Sequence, residues 1–246
     1  MDWYLSDGIY ISDSEGYAHF TKQNGLNSNY IYDFLEDKNH NIWIATDEDG
    51  VNLYKGNGVI FYNKNTGLQS NQILSVYRDS ENTLWLGSTQ GLESFDGESS
   101  KVHPLPGDYE NNYIWNITGL PNGNKLIAMP DGTLMEYDGN SYHNFSQRYN
   151  LGKPYVYNMM VDSSNQLWIG TDKGLYKISL KNGSVAHFTE QDGLANETVF
   201  NIFEDSHGRK WIGTYYGLTV LENGQFTHHP NGRWARPQPD KLYYGG

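Results

Sequence analysis

Asn165-Gln-Leu-Trp168-Ile-Gly170-Thr-Asp-Lys-Gly174-Leu175 decides the fold, because this stretch keeps returning along the chain. It recurs as Asn41-Ile-Trp43-Ile-Ala-Thr46 before Gly50-Val51, and as Thr83-Leu-Trp85-Leu-Gly-Ser88 before Gly91-Leu92. A further copy is Lys210-Trp211-Ile-Gly-Thr214 before Gly217-Leu218. A clipped copy at Trp3 opens the chain, and a worn copy carries Leu126 where the others have Trp. The anchors Trp3, Trp43, Trp85, Leu126, Trp168 and Trp211 lie 40 to 43 residues apart. A fixed period of that length marks a repeat architecture.

Around each anchor the pattern reads as four short strands. In the first complete copy, 30–35 is apolar on both faces, as a strand buried on both sides is. A polar turn leads to 42–46, and Gly50, expected at positive φ, leads to 51–54 and then 59–62. The later copies repeat this at 72–77, 84–88, 92–95 and 101–105; at 113–118, 125–128, 134–137 and 141–145; at 155–161, 167–171, 175–178 and 185–189; and at 198–203, 211–214, 218–221 and 225–228. One such meander cannot bury both its faces, so successive copies must stack. The opening segment holds three strands, 2–6, 9–12 and 17–20, and lacks the innermost one. Residues 240–246 fall where that strand is owed. The expectation is one all-β domain over 1–246, a β-propeller of six four-stranded blades with the first blade completed by the C-terminal strand. Such closure removes a sheet edge. The alternative is a stop within a longer array.

Composition narrows the function. The chain has 246 residues, a net charge of −12 and no Cys. A nucleic acid or an anionic membrane surface needs clustered cations, so neither is expected as a partner. Disulfides, thiol nucleophiles and Cys-ligated zinc are excluded. The 20 Tyr and 7 Trp supply much of the apolar bulk, since each ring buries a large area. No apolar run approaches the ~20 residues of a membrane helix, and residues 1–20 do not read as a signal peptide. The chain starts inside a repeat, as a mature or trimmed product does.

The string Asp-(five residues)-Trp-Ile-Gly-Thr-x-x-Gly-Leu, seen from Asp162 to Leu175 and from Asp205 to Leu218, resembles the two-component regulator propeller repeat. Looser copies start at Asp37 and Asp79, and Gly25-Leu26, Gly67-Leu68 and Gly193-Leu194 precede first strands. The resemblance covers essentially the whole chain. It implies an extracytoplasmic or periplasmic sensor region of a bacterial hybrid histidine kinase, a setting in which such propellers respond to polysaccharide fragments. It carries over no ligand residue. The family's rings typically have seven blades, against six units counted here, and no kinase, membrane helix or stalk domain is present in this sequence.

Several constellations invite a chemical reading. The Trp anchors read as wedges between blades, and Asp37, Asp79, Asp162 and Asp205 as caps of hairpin turns. Asp33, Ser75, Asn116, Asn158 and Asn201 stand ten residues before successive anchors, and Tyr243 would join them from the tail. At one level of a channel, Asp33, Asn116, Asn158 and Asn201 could hold calcium, as the channel residues of six-bladed lactonases do; the other reading is hydrogen bonding to the neighbouring blade. His19, His103, His143, His187 and His228 fall on fourth strands and read as surface positions. No Ser-His-Asp arrangement or phosphate loop is visible, so no catalytic residue is expected and no cofactor beyond that calcium. One face collects the turns before first strands and those between second and third strands. It should present Tyr30, Tyr113, Trp115, Tyr155, Tyr215 and Tyr216 with Asp47 and Asp172, and Tyr155 with Tyr215 and Tyr216 could form a cleft. Aromatic faces beside amides and carboxylates suit an oligosaccharide or small polar ligand, and equally another protein domain. The expected function is a non-catalytic ligand-binding or sensor module. The alternatives are a protein-interaction platform and a calcium-dependent, lactonase- or lyase-like enzyme.

Overall fold

A computed structural model describes residues 7–13, 16–56, 58–106 and 113–230. Alternating apolar residues and tight turns build five four-stranded antiparallel sheets, each a blade of β-propeller type with strands in sequence order. Blade A comprises Ile31–Glu36, Ile42–Thr46, Val51–Tyr54 and Val59–Tyr62. Blade B comprises Ile73–Arg78, Leu84–Ser88, Gly91–Phe95 and Ser100–His103. Blade C comprises Asn116–Gly119, Lys125–Ala128, Leu134–Tyr137 and Tyr142–Asn144. Blade D comprises Val156–Val161, Gln166–Thr171, Gly174–Ser179 and Val185–Phe188. Blade E comprises Val199–Glu204, Lys210–Thr214, Gly217–Glu222 and Gln225–Pro230. Residues 1–156 and 157–246 form two compact units.

Among the described residues there are five such blades, not the expected six. The opening segment contributes a two-stranded sheet, Ile9–Asp13 with Gly16–Phe20, packed on blade A through Ile9, Phe20, Ile42 and Ile44. The expected strands at 2–6 and 240–246, with Tyr243 and the Trp3 anchor, lie outside the described residues. Two further differences fall in blade C. Residues 113–115 precede the first strand of blade C instead of belonging to it. Phe145 starts a short helix, Phe145–Arg148, because the Asn144 side chain accepts the Gln147 N–H and turns the chain out of the sheet. Gly50 has φ +88°, as its turn demands.

The anchor motif works through two neighbouring blades. Asp37, Asp79, Asp162 and Asp205 do cap their turns: in blade D, Asp162 Oδ1 accepts Ser164 N at 2.9 Å and Gln166 N at 2.8 Å. The second carboxylate oxygen takes the anchor indole, Trp43 on Asp37 at 3.2 Å, Trp85 on Asp79 at 2.7 Å, and Trp168 on Asp162 and Trp211 on Asp205 at 2.8 Å each. A cation from the following blade then approaches the same oxygen. These are Arg78 to Asp37 at 3.5 Å, Lys125 to Asp79 at 3.3 Å and Lys210 to Asp162 at 3.2 Å. For Asp205 the cation is Arg209 of its own blade, at 2.6 Å. The glycine of the motif has a packing role. A Cβ on Gly170 would stand 2.8 Å from both the carbonyl oxygen and Cγ1 of Val199, on the first strand of the next blade.

The Gly-Leu pairs end their turns in the left-handed region, where glycine is at ease, at φ +108° for Gly67 and +112° for Gly193. Each drops a leucine into the core: Leu26, Leu68 and Leu194 are all buried. The next residue gives its N–H to the third strand, Asn27 to Asn52 Oδ1, Gln69 to Glu93 Oε2 and Ala195 to Thr219 Oγ1. Asn150-Leu151 repeats the device before blade D, with Asn150 at φ +52° and Leu151 buried.

Candidate functional site

The first strands of blades A, B and E carry a register irregularity, between Ile31 and Asp33, Ile73 and Ser75, and Val199 and Asn201. A bulge re-aims the residue it leaves unpaired, here Tyr32, Leu74 and Phe200. Trp115 holds the same place in blade C, just ahead of its strand, with its backbone N–H on Ala128 O at 3.1 Å.

Within residues 157–246 the bulged residue Phe200 belongs to a row of rings. Tyr157 and Phe200 lie 4.9 Å apart, Phe200 and Tyr215 6.3 Å, and Tyr215 and Tyr216 4.8 Å at 86°. Tyr215 and Tyr216 are 43% and 61% exposed. Asp172 belongs to the same surface: burial, then the Asp172 charge, raises the Tyr157 and Tyr176 hydroxyls. Tyr157 and Phe200 hold the place of Trp115 in their own blades. Phe200 enters the row through the bulge of blade E, which no residue pattern announces.

Within residues 1–156, Asp47 is committed to structure. Its N–H bonds Tyr30 O at 3.2 Å, and its Oδ1 accepts the Tyr32 hydroxyl at 2.9 Å. Tyr30 and Tyr113 are exposed. Trp115 is half-buried and its ring lies 6.2 Å from that of Tyr155. On the same face, Glu48, Lys64, Gln69, Ser70, Asn71, Gln72, Thr89 and Gln90 line an open depression of about 330 Å³. None of the tyrosines lines it.

The polar positions ten residues before the anchors join blade to blade. Asp33 Oδ2 accepts Val76 N at 2.9 Å, Ser75 Oγ donates to Ile114 O at 3.4 Å, and Asn158 Oδ1 accepts Ile202 N at 3.1 Å. Asn116 is half-buried and Asn201 is exposed. Among the described residues, no group of three or more His, Asp or Glu is placed to hold a metal. Burial pushes the Asp33 carboxyl up to about 7, against the lowering pull of the Val76 and Phe34 N–H groups. A raised carboxyl pKa favours folding below the unfolded value of about 3.9 and loses that contribution as pH rises through the folded value. Asp33→Asn keeps the acceptor, as Asn158 does in blade D. It should flatten the decline in stability between about pH 4 and 7 and raise stability at pH 8 by roughly 1–3 kcal/mol. Chemical denaturation across that range checks this; an unchanged slope in the variant contradicts it.

His103 corrects the reading of the fourth-strand histidines as surface groups. It is buried, with Nε2 against Ser94 Oγ and Nδ1 against Tyr137 Oη, both at 2.8 Å. Tyr137 donates onward to Gly139 O at 2.7 Å, so Nδ1 carries the proton and Nε2 accepts from the serine. Burial lowers the His103 pKa, which keeps the ring neutral.

The two component regulator propeller family model matches the chain four times, at residues 25–48, 67–90, 150–173 and 193–216, so the chain carries four repeats of that family. The third match begins at Asn150, where asparagine stands in for glycine. No curated protein matches the chain. Among solved structures, the chain is similar to the extracellular domain assigned to the hybrid two component system BT3049 of B. thetaiotaomicron. That likeness has a TM-score of 0.77 at 20% identity, over 91% of this chain and 31% of that one. It is similar to the extracellular domain of BT4673 from the same organism, with a TM-score of 0.61 at 18% identity, over 89% and 38% of the two chains. A catalytically inactive virginiamycin B lyase from Staphylococcus aureus gives a TM-score of 0.73 at 11% identity, over 92% and 78%. These likenesses establish the fold. The chain spans about a third of the length of the two extracellular domains.

Proposed function

We propose that this two component regulator propeller chain is a non-catalytic ligand-binding module of a signalling protein, seated in the periplasm or otherwise outside the cytoplasm. Its ligand is a neutral oligosaccharide or small polar molecule, taken by the Tyr-rich face. The observation that carries the reading is the exposed pair Tyr215 and Tyr216 at the end of a row of rings, in a turn where sister blades carry Thr89-Gln90 and Asp172-Lys173. Large aromatics displayed together more often mark a contact surface than a packing need. The extracellular placement rests on the domains to which the chain is similar. A glycan array probed with the purified chain tests the ligand class: saturable binding to neutral oligosaccharides is expected, and an empty array contradicts it.

One observation favours a protein partner as the second reading. The Tyr215 and Tyr216 rings stand at 86° and offer edges as well as faces, where a stacked sugar asks for a flat platform. The calcium-dependent lyase reading has less support, because Asp33 and Asn158 spend their oxygens on neighbouring blades. A stoichiometric divalent ion retained through mild purification would restore it. Tyr215→Ala with Tyr216→Ala should cost no more than roughly 1 kcal/mol of stability, as ordinary surface changes do. Thermal unfolding checks that, and a larger loss would make these rings part of the core.

A further inference from the structure

Five of the seven tryptophans lie among the described residues, and four of them place the indole N–H on a turn carboxylate. Trp115 is the fifth. Its Nε1 is buried and has no hydrogen-bond partner. Buried donors are rarely left so, and each case needs a reason. Blade A shows what is missing. There Tyr32, in the corresponding place, gives its hydroxyl to Asp47, four residues beyond the Trp43 anchor. Four residues beyond Leu126 stands Pro130, whose side chain accepts nothing.

The surroundings set the chemistry of what would fill the gap. The Tyr155 ring stands 6.2 Å from the Trp115 ring, inclined at 59°. Cations nearby in sequence are paired with carboxylates: Lys125 with Asp79 at 3.3 Å, Arg148 with Glu136 and Lys153 with Asp131 at 2.6 Å each. The position therefore offers one uncharged donor beside an aromatic wall.

We propose that the Trp115 indole N–H is the hydrogen-bond donor of a ligand subsite walled by Tyr155, and that it takes an uncharged oxygen of a neutral saccharide, a hydroxyl or a ring oxygen. This rests on the oligosaccharide reading above and deepens it. Because the N–H is sheltered, the bond forms once a neighbouring side chain swings aside. The nitrogen holds no bond before the ligand arrives, so none is broken there, and the saccharide oxygen exchanges a bond to water for the one to the indole.

Protein labelled with ¹⁵N at tryptophan indoles reports each N–H separately, and Trp115→Phe assigns the relevant peak. Cellohexaose, maltohexaose and mannohexaose are titrated in turn. At least one should move the Trp115 peak saturably while the four carboxylate-bound indoles stay in place. Trp115→Phe keeps an aromatic ring without the N–H and should weaken that binding about five-fold or more, the worth of one hydrogen bond. Binding with the Trp115 peak unmoved and Trp115→Phe equal to wild type overturns the subsite and leaves the oligosaccharide reading standing. No binding of any of the three overturns the subsite and withdraws support from that reading as well.

Discussion

Asp162→Ala should cost about 3–5 kcal/mol, the range for breaking a buried ion pair from one side. The carboxylate holds Trp168 Nε1 at 2.8 Å, two turn N–H groups and Lys210 at 3.2 Å, and the last comes from the next blade. Removal leaves an indole, two amides and a largely buried ammonium short of an acceptor. Glu204, 2.9 Å from Lys210, offsets part of that loss. Burial alone would raise the Asp162 carboxyl, but the bonds from Trp168, Gln166 and Lys210 outweigh it and hold the group below its ordinary value. The sign follows: the contribution is present above the unfolded value near 3.9 and is lost as pH falls through the folded one. Urea unfolding at pH 7 and pH 3 measures both effects. A loss under about 1 kcal/mol at pH 7 would reduce the Asp–Trp–Lys group to a surface ion pair.

Gly170→Val is the second large effect expected, a loss of about 3 kcal/mol or more. A Cβ alone would sit 2.8 Å from the Val199 carbonyl oxygen, and backbone cannot yield as a side-chain tip does. Ala45 and Ala128 occupy the matching places in blades A and C, so those interfaces accommodate a methyl group. The difference between Gly170→Ala and Gly170→Val in denaturant midpoint reads the interface spacing directly. Equal, small effects would mean that blades D and E pack less closely there than the structure shows.

Most of the fold could be read from residues alone. Each copy presents a strand-length apolar run, a polar turn and a large anchor, and local alternation with turn chemistry is enough to place such strands. Blade C was hardest to bound, because Leu126 replaces the ring and Asn144 diverts the fourth strand into a helix. The blade-to-blade partners were not legible. Lys125 and Lys210 stand beside their anchors and look like solvent-facing charges until the preceding blade's aspartate is brought against them. The same holds for Gly170, which reads as one more strand residue but serves a close approach. Of the site, the exposure of Tyr215 and Tyr216 was readable from the sister turns. The commitment of Asp47 to Tyr32, and the ring row through Phe200, depend on bulges that follow from packing.

Isothermal titration of the wild-type chain and the Tyr215→Ala, Tyr216→Ala double variant, with the neutral oligosaccharide selected by the array, tests the proposed function most directly. The account predicts saturable binding by the wild type and at least a ten-fold weaker affinity in the double variant, about 1.4 kcal/mol, with the unfolding curve of the variant nearly unchanged. Equal affinity in the two proteins would contradict it and move the site off this face.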